Sequence, residues 1–175
     1  MCEIVRTANT KSLFLGVPIR DEFEFKAAEL AHIDNFSLLT KTSRHFGLSL
    51  FSMNLSSFNL PKSQNTLKDC LLFVREWLAS DNTKFEFMSI SWDPIDIGNE
   101  LNNLENAVPW CETRRGRYFK YLDLMAVDMK DALDIRRRDG LWASVRALRC
   151  GFFFGIWHSS FHNVEGLNVR AASLT

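Results

Sequence analysis

The apolar spacing between Glu112 and Gly140 limits the choice of fold more than any other part of this sequence. At about 100° per residue, one narrow helical stripe collects Tyr118, Leu122, Met125, Met129 and Leu133. The opposite arc is mostly charged, and Gly140 stands where a C-terminal helix cap is expected. The pattern predicts an amphipathic helix from about residue 112 to residue 138.

A second apolar stripe follows directly. Its members share one helical face and are Leu141, Val145, Leu148, Phe152 and Ile156. Because only Asp139 and Gly140 separate the two stripes, the two helices are expected to form an antiparallel hairpin.

The rest of the chain also favours helices. They are predicted over 21–33, over 36–46 with a stop near Gly47, and over 67–80, where Thr66 and Asp69 resemble a capping box at the start. Residues 84–92 alternate as a strand does, and residues 48–60 fit neither period. The predicted fold is therefore mainly α: a helical domain with a C-terminal antiparallel helix hairpin and at most a small β element near 84–92.

The length and composition predict one ordinary globular domain. The 175 residues are 46% hydrophobic, enough to fill a core. With 15 Phe and 5 Trp against 2 Tyr, that core is expected to be lined by phenylalanine. We expect a single domain over 1–175, and a division into helical halves at 1–60 and 61–175 stays open.

The cysteines and the N-terminal residues predict a cytoplasmic protein. Cys2, Cys70, Cys111 and Cys150 are widely spaced and contain no C-x-x-C pair. The first residues lack the apolar core of a secretory signal, and the apolar run from Cys150 to Trp157 is too short to span a bilayer. Reduced thiols and no membrane partner are the expectation.

Arginines bracket the predicted long helix and suggest an anionic partner. Formal net charge is zero, but residues 1–100 carry 10 basic and 13 acidic residues, whereas residues 101–175 carry 11 and 8. Arginine engages phosphate through a planar fork and stacks on bases, and aromatics beside it add stacking surface. The predicted nucleic-acid contacts are Arg114, Arg115, Arg117, Tyr118, Lys120, Arg137, Arg138, Arg146 and Arg149.

A purely structural explanation competes for the second cluster. Cations at 136–138 would favour the dipole at a helix C-terminus, and Asp134 would pair with Arg138 at i,i+4. Arg114 and Arg115 gain nothing from a dipole at a helix start. The functional hypothesis therefore depends on the first cluster.

Catalytic and cofactor signatures are weak. His158 and His162 have a spacing that suits a zinc pair, but no nearby residue completes a ligand set. The chain has no G-x-S-x-G elbow and no phosphate-binding glycine loop, since Gly151-x-x-x-Gly155 lacks the Lys–Ser/Thr ending. We expect no enzyme, no metal and no cofactor.

Together these features predict a non-enzymatic binding protein for RNA. Because total charge is neutral, a homo-oligomer would be needed to join the arginines into one positive surface. RNA-sequestering accessory proteins, such as viral silencing suppressors, offer an analogy of mechanism. The alternative is a protein-interaction module, such as an inhibitor or immunity-type protein that blocks a partner enzyme.

Overall fold

The computed structural model describes residues 11–16, 30–121 and 125–158. These ranges form an eight-stranded mixed sheet, a separate two-stranded hairpin and two α-helices. The strands are β1 (Ser12–Leu15), β2 (Asn35–Leu38), β3 (Ser57–Leu60), β4 (Phe87–Ser91), β5 (Val108–Pro109), β6 (Tyr118–Tyr121), β7 (Met125–Asp128), β8 (Leu133–Arg136), β9 (Trp142–Leu148) and β10 (Gly151–Trp157). The helices are α1 (Arg44–Phe51) and α2 (Leu67–Ala79), and a 3-10 helix spans Glu100–Asn103. No helix in these ranges is long and apolar enough to cross a bilayer.

The large sheet joins a parallel half to an antiparallel half. Its strand order is β1-β2-β3-β4-β10-β9-β8-β5. Strands β1 to β4 are parallel, so each needs a crossover, and α1 and α2 supply those between β2 and β3 and between β3 and β4. From β4 onward each neighbour is antiparallel, and short turns join β8 to β9 and β9 to β10. Strands β6 and β7 pair only with each other among the described strands.

The prediction of a mainly α domain with a C-terminal helix hairpin is wrong. The described chain is mainly β, with eight strands in one mixed sheet and two α-helices. Strands β6, β7 and β8 occupy the region of the predicted 112–138 helix, and the predicted second helix is the hairpin of β9 and β10. The arginines of 136–138 therefore end a strand and begin its turn, and Gly140 adopts φ 93° in that turn rather than capping a helix.

The second helix was predicted wrongly because the strand in its place is buried on both faces. Strand β10 (Gly151–Trp157) is covered on both faces over nearly its whole length, so its sequence is a continuous apolar run without alternation. Such a run has no period that separates strand from helix. Upstream, Lys130 and Asp131 form a turn inside the apparent helical stripe, and the Asp128 side chain accepts a hydrogen bond from the Lys130 amide there.

Several local predictions are confirmed and one is corrected in detail. Helix α2 begins at a capping box in which Thr66 and Asp69 exchange hydrogen bonds, and β4 lies inside the predicted 84–92 strand. Helix α1 covers only the end of the predicted 36–46 helix, because Phe36 belongs to β2. It also passes through Gly47, where a Cβ would meet Asn65 Oδ1 at 1.8 Å. Residues 21–29 of the first predicted helix lie outside the described ranges.

One face of the sheet carries the main core. Side chains from alternate positions of the central strands pack there against α1 and α2, which contribute Phe46, Leu50, Phe73, Val74 and Trp77. The phenylalanine-lined core expected from composition is visible in a chain of ring contacts, with Phe73 5.0 Å from Phe85 and Trp77 5.3 Å from Phe154 between centroids.

The opposite face carries a smaller core under the β6–β7 hairpin. Phe119 of β6 stacks on Phe87 at 5.4 Å and meets Trp157 edge-on at 5.0 Å. Gly155 of β10 lies directly beneath the ring, and a Cβ there would be 2.7 Å from the nearest Phe119 carbon. The glycine therefore lets the hairpin close on the sheet.

Replacing Gly155 with Ala should destabilise the protein by about 1–3 kcal/mol, because the Phe119 ring is held between two other rings and cannot yield freely. Gly16→Ala is the matched control, since its Cβ would meet only Leu39 Cδ1, at 3.8 Å. Urea denaturation of both variants measures the difference. Equal stabilities would show that Phe119 does not hold the hairpin at this distance.

Candidate functional site

The first arginine cluster converges on one buried carboxylate. Asp134 of β8 is 1% exposed. Its Oδ2 accepts from Arg114 Nη1 at 2.9 Å, and its Oδ1 accepts from Arg115 Nε at 2.8 Å and from Ser144 Oγ at 2.7 Å. Two arginines that the sequence assigned to a partner are thus bound to the protein's own sheet.

Arg115 is an interior residue. It is 3% exposed, and its guanidinium also donates to the Met129 carbonyl and the Gly116 carbonyl, each at 2.9 Å. Its Cζ lies 5.1 Å from the centre of the Trp157 ring. Burial lowers the pKa of Arg115, and the hydrogen bonds and charge of Asp134 oppose that shift.

Arg117 is paired as well, at the surface. Its guanidinium meets Asp128 in a forked contact, with Nη2 2.6 Å from Oδ2 and Nε 3.0 Å from Oδ1. The Arg117 side chain also lies over the Tyr118 ring at 5.2 Å. The hydrogen bond between Arg117 and Asp128 lowers the pKa of Asp128 and raises that of Arg117.

The other predicted contacts of the C-terminal half are dispersed. Arg146 Nη1 donates to the Asp128 carbonyl, and Arg146 Nη2 lies 3.6 Å from Asp131. Arg149 is exposed in the β9–β10 turn, where its carbonyl accepts from the Trp92 indole at 3.1 Å. Lys120 belongs to β6, and its side chain lies outside the described part of the structure.

The second arginine cluster contains one anchored and two more accessible side chains. Arg137 is buried, donates to Asp139 at 2.6 Å and to the Asn82 carbonyl at 2.6 Å, and covers the Trp77 ring at 4.6 Å. Its hydrogen bond lowers the pKa of Asp139 to about 2. Arg136 is exposed and lies 5.6 Å from the centre of Trp142. Exposed Arg138 has no hydrogen bond or ion pair to any residue in the described ranges.

This second cluster borders a pocket. The pocket has a volume of about 430 Å³ and is lined by Arg75, Leu78, Ala79, Leu104, Glu105, Asn106, Arg136, Arg137 and Arg138. It lies where the C-terminal end of α2, the 104–106 loop and the end of β8 meet. Four arginines and one carboxylate give it a positive lining, which is suited to an anion.

The pocket lies at one end of the strands, and the N-termini of the two helices lie at the other end. β8 is antiparallel to β9, β9 to β10 and β10 to β4, so β8 ends level with the start of β4. At the other end of the strands, Arg44 of α1 and Asp69 of α2 form a forked ion pair with hydrogen bonds of 2.8 and 2.6 Å. That pair joins the two helix starts and has no part in the pocket.

Arg75 and the 104–106 loop were not predicted as site residues. Arg75 is on the exposed side of α2 and is 61 positions from Arg136 in the chain, so no local pattern connects them. Asn106 has φ 59°, a left-handed conformation that asparagine tolerates, and only this backbone requirement leaves a local trace in the sequence.

The described histidines and cysteines lie in different local environments. The described ranges contain no cluster of three or more His, Cys, Asp or Glu side chains that could hold a metal ion. The Nε2 atom of His158 is 2.6 Å from the Phe85 carbonyl, and His162 lies outside the described residues. Burial raises the pKa of Cys70, whereas a hydrogen bond with Thr113 lowers that of Cys111.

Comparison with protein-family models, with characterised proteins and with solved structures gives no match to this chain.

Asp134→Asn should cost about 3–5 kcal/mol of the free energy of unfolding, because it leaves the buried Arg115 guanidinium without a counter-charge. Asp128→Asn removes the same charge from the exposed Arg117 pair and should cost much less. Chemical denaturation of the two variants provides the comparison. A similar loss in both would mean that Asp134 is not the central partner of the arginine cluster.

Proposed function

We propose that this chain is a non-enzymatic RNA-binding protein that works as a homo-oligomer. Its contact surface, which we call the arginine edge, consists of Arg75, Arg136 and Arg138 around the pocket together with Trp142. The observation that carries the proposal is the positive pocket lining, with four arginines and one carboxylate. The proposal places this activity in the cytoplasm, where the free thiols of Cys70, Cys111 and Cys150 would stay reduced.

The distribution of ion pairs favours the arginine edge over the first cluster. Arg114, Arg115 and Arg117 each donate to an aspartate of the same domain, and Arg115 cannot leave Asp134 without exposing a buried carboxylate. A phosphate would have to compete with those contacts. Arg138, by contrast, has no ion pair within the described ranges and requires no such exchange.

An aromatic ring beside the arginines supports RNA over other polyanions. Trp142 of β9 is partly exposed, with Arg114 at 5.3 Å and Arg136 at 5.6 Å from the ring centre. Sequence-tolerant binding of single strands combines a positive groove with side chains on which bases stack. Arginine planes and an indole ring at one site provide both.

Wild-type protein should bind a fluorescein-labelled single-stranded RNA in a fluorescence anisotropy titration, with affinity falling as salt rises. Three arginine–phosphate contacts predict a slope of about −2 in log K against log salt. The double variant Arg136→Gln/Arg138→Gln should lower the affinity and reduce the slope by roughly 1.4, since it removes two contacts.

Lys41→Gln/Lys62→Gln is the matched control. It removes the same charge from exposed lysines at the opposite end of the strands, and the slope of log K against log salt should stay unchanged. An unchanged slope in the arginine variant, or no RNA binding at low salt, would rule out the arginine edge. Binding of a protein partner without RNA affinity would instead support the protein-interaction alternative.

Self-association is the second part of the proposal. Phe14 of β1 is 55% exposed and Leu39, just after β2, is 65% exposed. Phe14 pairs in register with Ser37, so strand alternation puts Phe14 and Leu39 on the same side of the sheet. β1 ends the sheet among the described strands, and an apolar pair at a sheet edge suits contact with a second copy.

Leu39→Glu should shift the protein toward monomer in size-exclusion chromatography with light scattering, because a charge at that contact opposes burial. Leu72→Glu is the control, since Leu72 is similarly exposed but lies on α2. If wild-type protein is monomeric across the working concentration range, or if both variants behave alike, self-association through this pair is wrong.

A further inference from the structure

The size of the arginine-lined pocket limits what it can hold. Its volume of about 430 Å³ lies within the roughly 300–1,000 Å³ of small-molecule sites. A nucleotide inside an RNA strand has a neighbour on each side and must be threaded through a site. A terminal nucleotide has only one neighbour and can enter a pocket from its open side.

The lining combines apolar and cationic side chains. Leu78, Ala79 and Leu104 contribute apolar surface, which suits a sugar and the face of a base. The arginines suit a phosphate, since each guanidinium can offer it two parallel N–H groups. A nucleoside with a phosphate attached needs both kinds of side chain.

The pocket lining carries more positive than negative side chains. Four arginines face one carboxylate, Glu105, and Arg137 is paired with Asp139. A phosphomonoester carries a charge of about −1.5 to −2 at neutral pH, whereas an internal diester carries a single negative charge. A positive lining therefore favours the phosphomonoester.

The two types of arginine have different roles. Arg137 is held by Asp139, by the Asn82 carbonyl and by the Trp77 ring, so it is a fixed part of the wall. Arg138 is exposed and has no ion pair in the described ranges, so its guanidinium is available to a ligand. Arg75 approaches from α2, on another side of the same pocket.

We infer that this pocket binds the terminal phosphomonoester of an RNA strand together with the nucleoside that carries it. Arg138 and Arg75 contact the phosphate, and Leu78, Ala79 and Leu104 contact the nucleoside. The inference rests on the proposed RNA-binding function and extends it from the strand to its end. A free mononucleotide presents the same chemistry and should enter the same pocket.

The first test uses mononucleotides and the full chain. Adenosine 5′-monophosphate should raise the thermal unfolding midpoint in a concentration-dependent way, whereas adenosine should not. Arg138→Gln should weaken this binding by roughly tenfold or more, as expected for loss of a charge-assisted hydrogen bond. Lys62→Gln, at the opposite end of the strands, should leave it unchanged. No midpoint shift with the monophosphate, or an equal shift with adenosine, overturns the pocket assignment.

The second test uses one RNA sequence with different ends. A strand with a 5′-phosphate and one with a 3′-phosphate are compared with a strand that has hydroxyl groups at both ends. At least one phosphorylated strand should bind about tenfold tighter than the hydroxyl strand, and Arg138→Gln should abolish the difference. Arg75→Gln provides a second variant should Arg138→Gln fold poorly. Equal affinities for all three strands would overturn the inference and leave the RNA-binding proposal standing.

The two tests also separate failure of the RNA-binding proposal from failure of the pocket assignment. Binding of adenosine 5′-monophosphate that depends on Arg138, without measurable affinity for any RNA strand, would support a phosphomonoester pocket. It would also overturn the proposed RNA-binding function.

Discussion

Burial of the Asp134 carboxylate organises the C-terminal half of this protein. The side chain is buried on one face of the sheet, where an unpaired charge would be very costly. Arg114, Arg115 and Ser144 satisfy it, and Arg115 then ties the turn before β6 to the Met129 carbonyl after β7. The β6–β7 hairpin is thereby fixed at both ends, which allows Phe119 to rest on Gly155. The packing of the hairpin on this face therefore depends on the ion pairs of Asp134.

Local chemistry made part of the fold predictable. The Thr66–Asp69 capping box identifies the start of α2, since both hydrogen bonds are made within four consecutive residues. The alternation of residues 84–92 similarly identifies β4, which has different environments on its two faces. Strand β10 was not predictable this way, because α2 covers one face and the hairpin covers the other. Which neighbours cover a strand is decided by the tertiary fold and leaves no periodic trace in the strand itself.

The candidate site was harder to predict because charge is distributed by pairing across the fold. The sequence suggested that Asp134 would pair with Arg138, four residues away on a helix. In the structure Asp134 instead pairs with arginines 19 and 20 positions earlier in the chain. Arg138 is left without an ion pair in the described ranges. Arg75, on α2, lines the same pocket. The composition of an arginine cluster is visible in a sequence, whereas its available charge depends on distant carboxylates.

The two arginine clusters thus have opposite energetic characters. In the first cluster each guanidinium has an aspartate partner, so binding an external phosphate would exchange one ion pair for another and gain little. Around the pocket, arginines outnumber carboxylates in the lining. We therefore propose that an external anion would gain more there than at the first cluster. For this reason the arginine edge, rather than the more conspicuous Arg114–Arg117 segment, is the surface that we propose for the anionic partner.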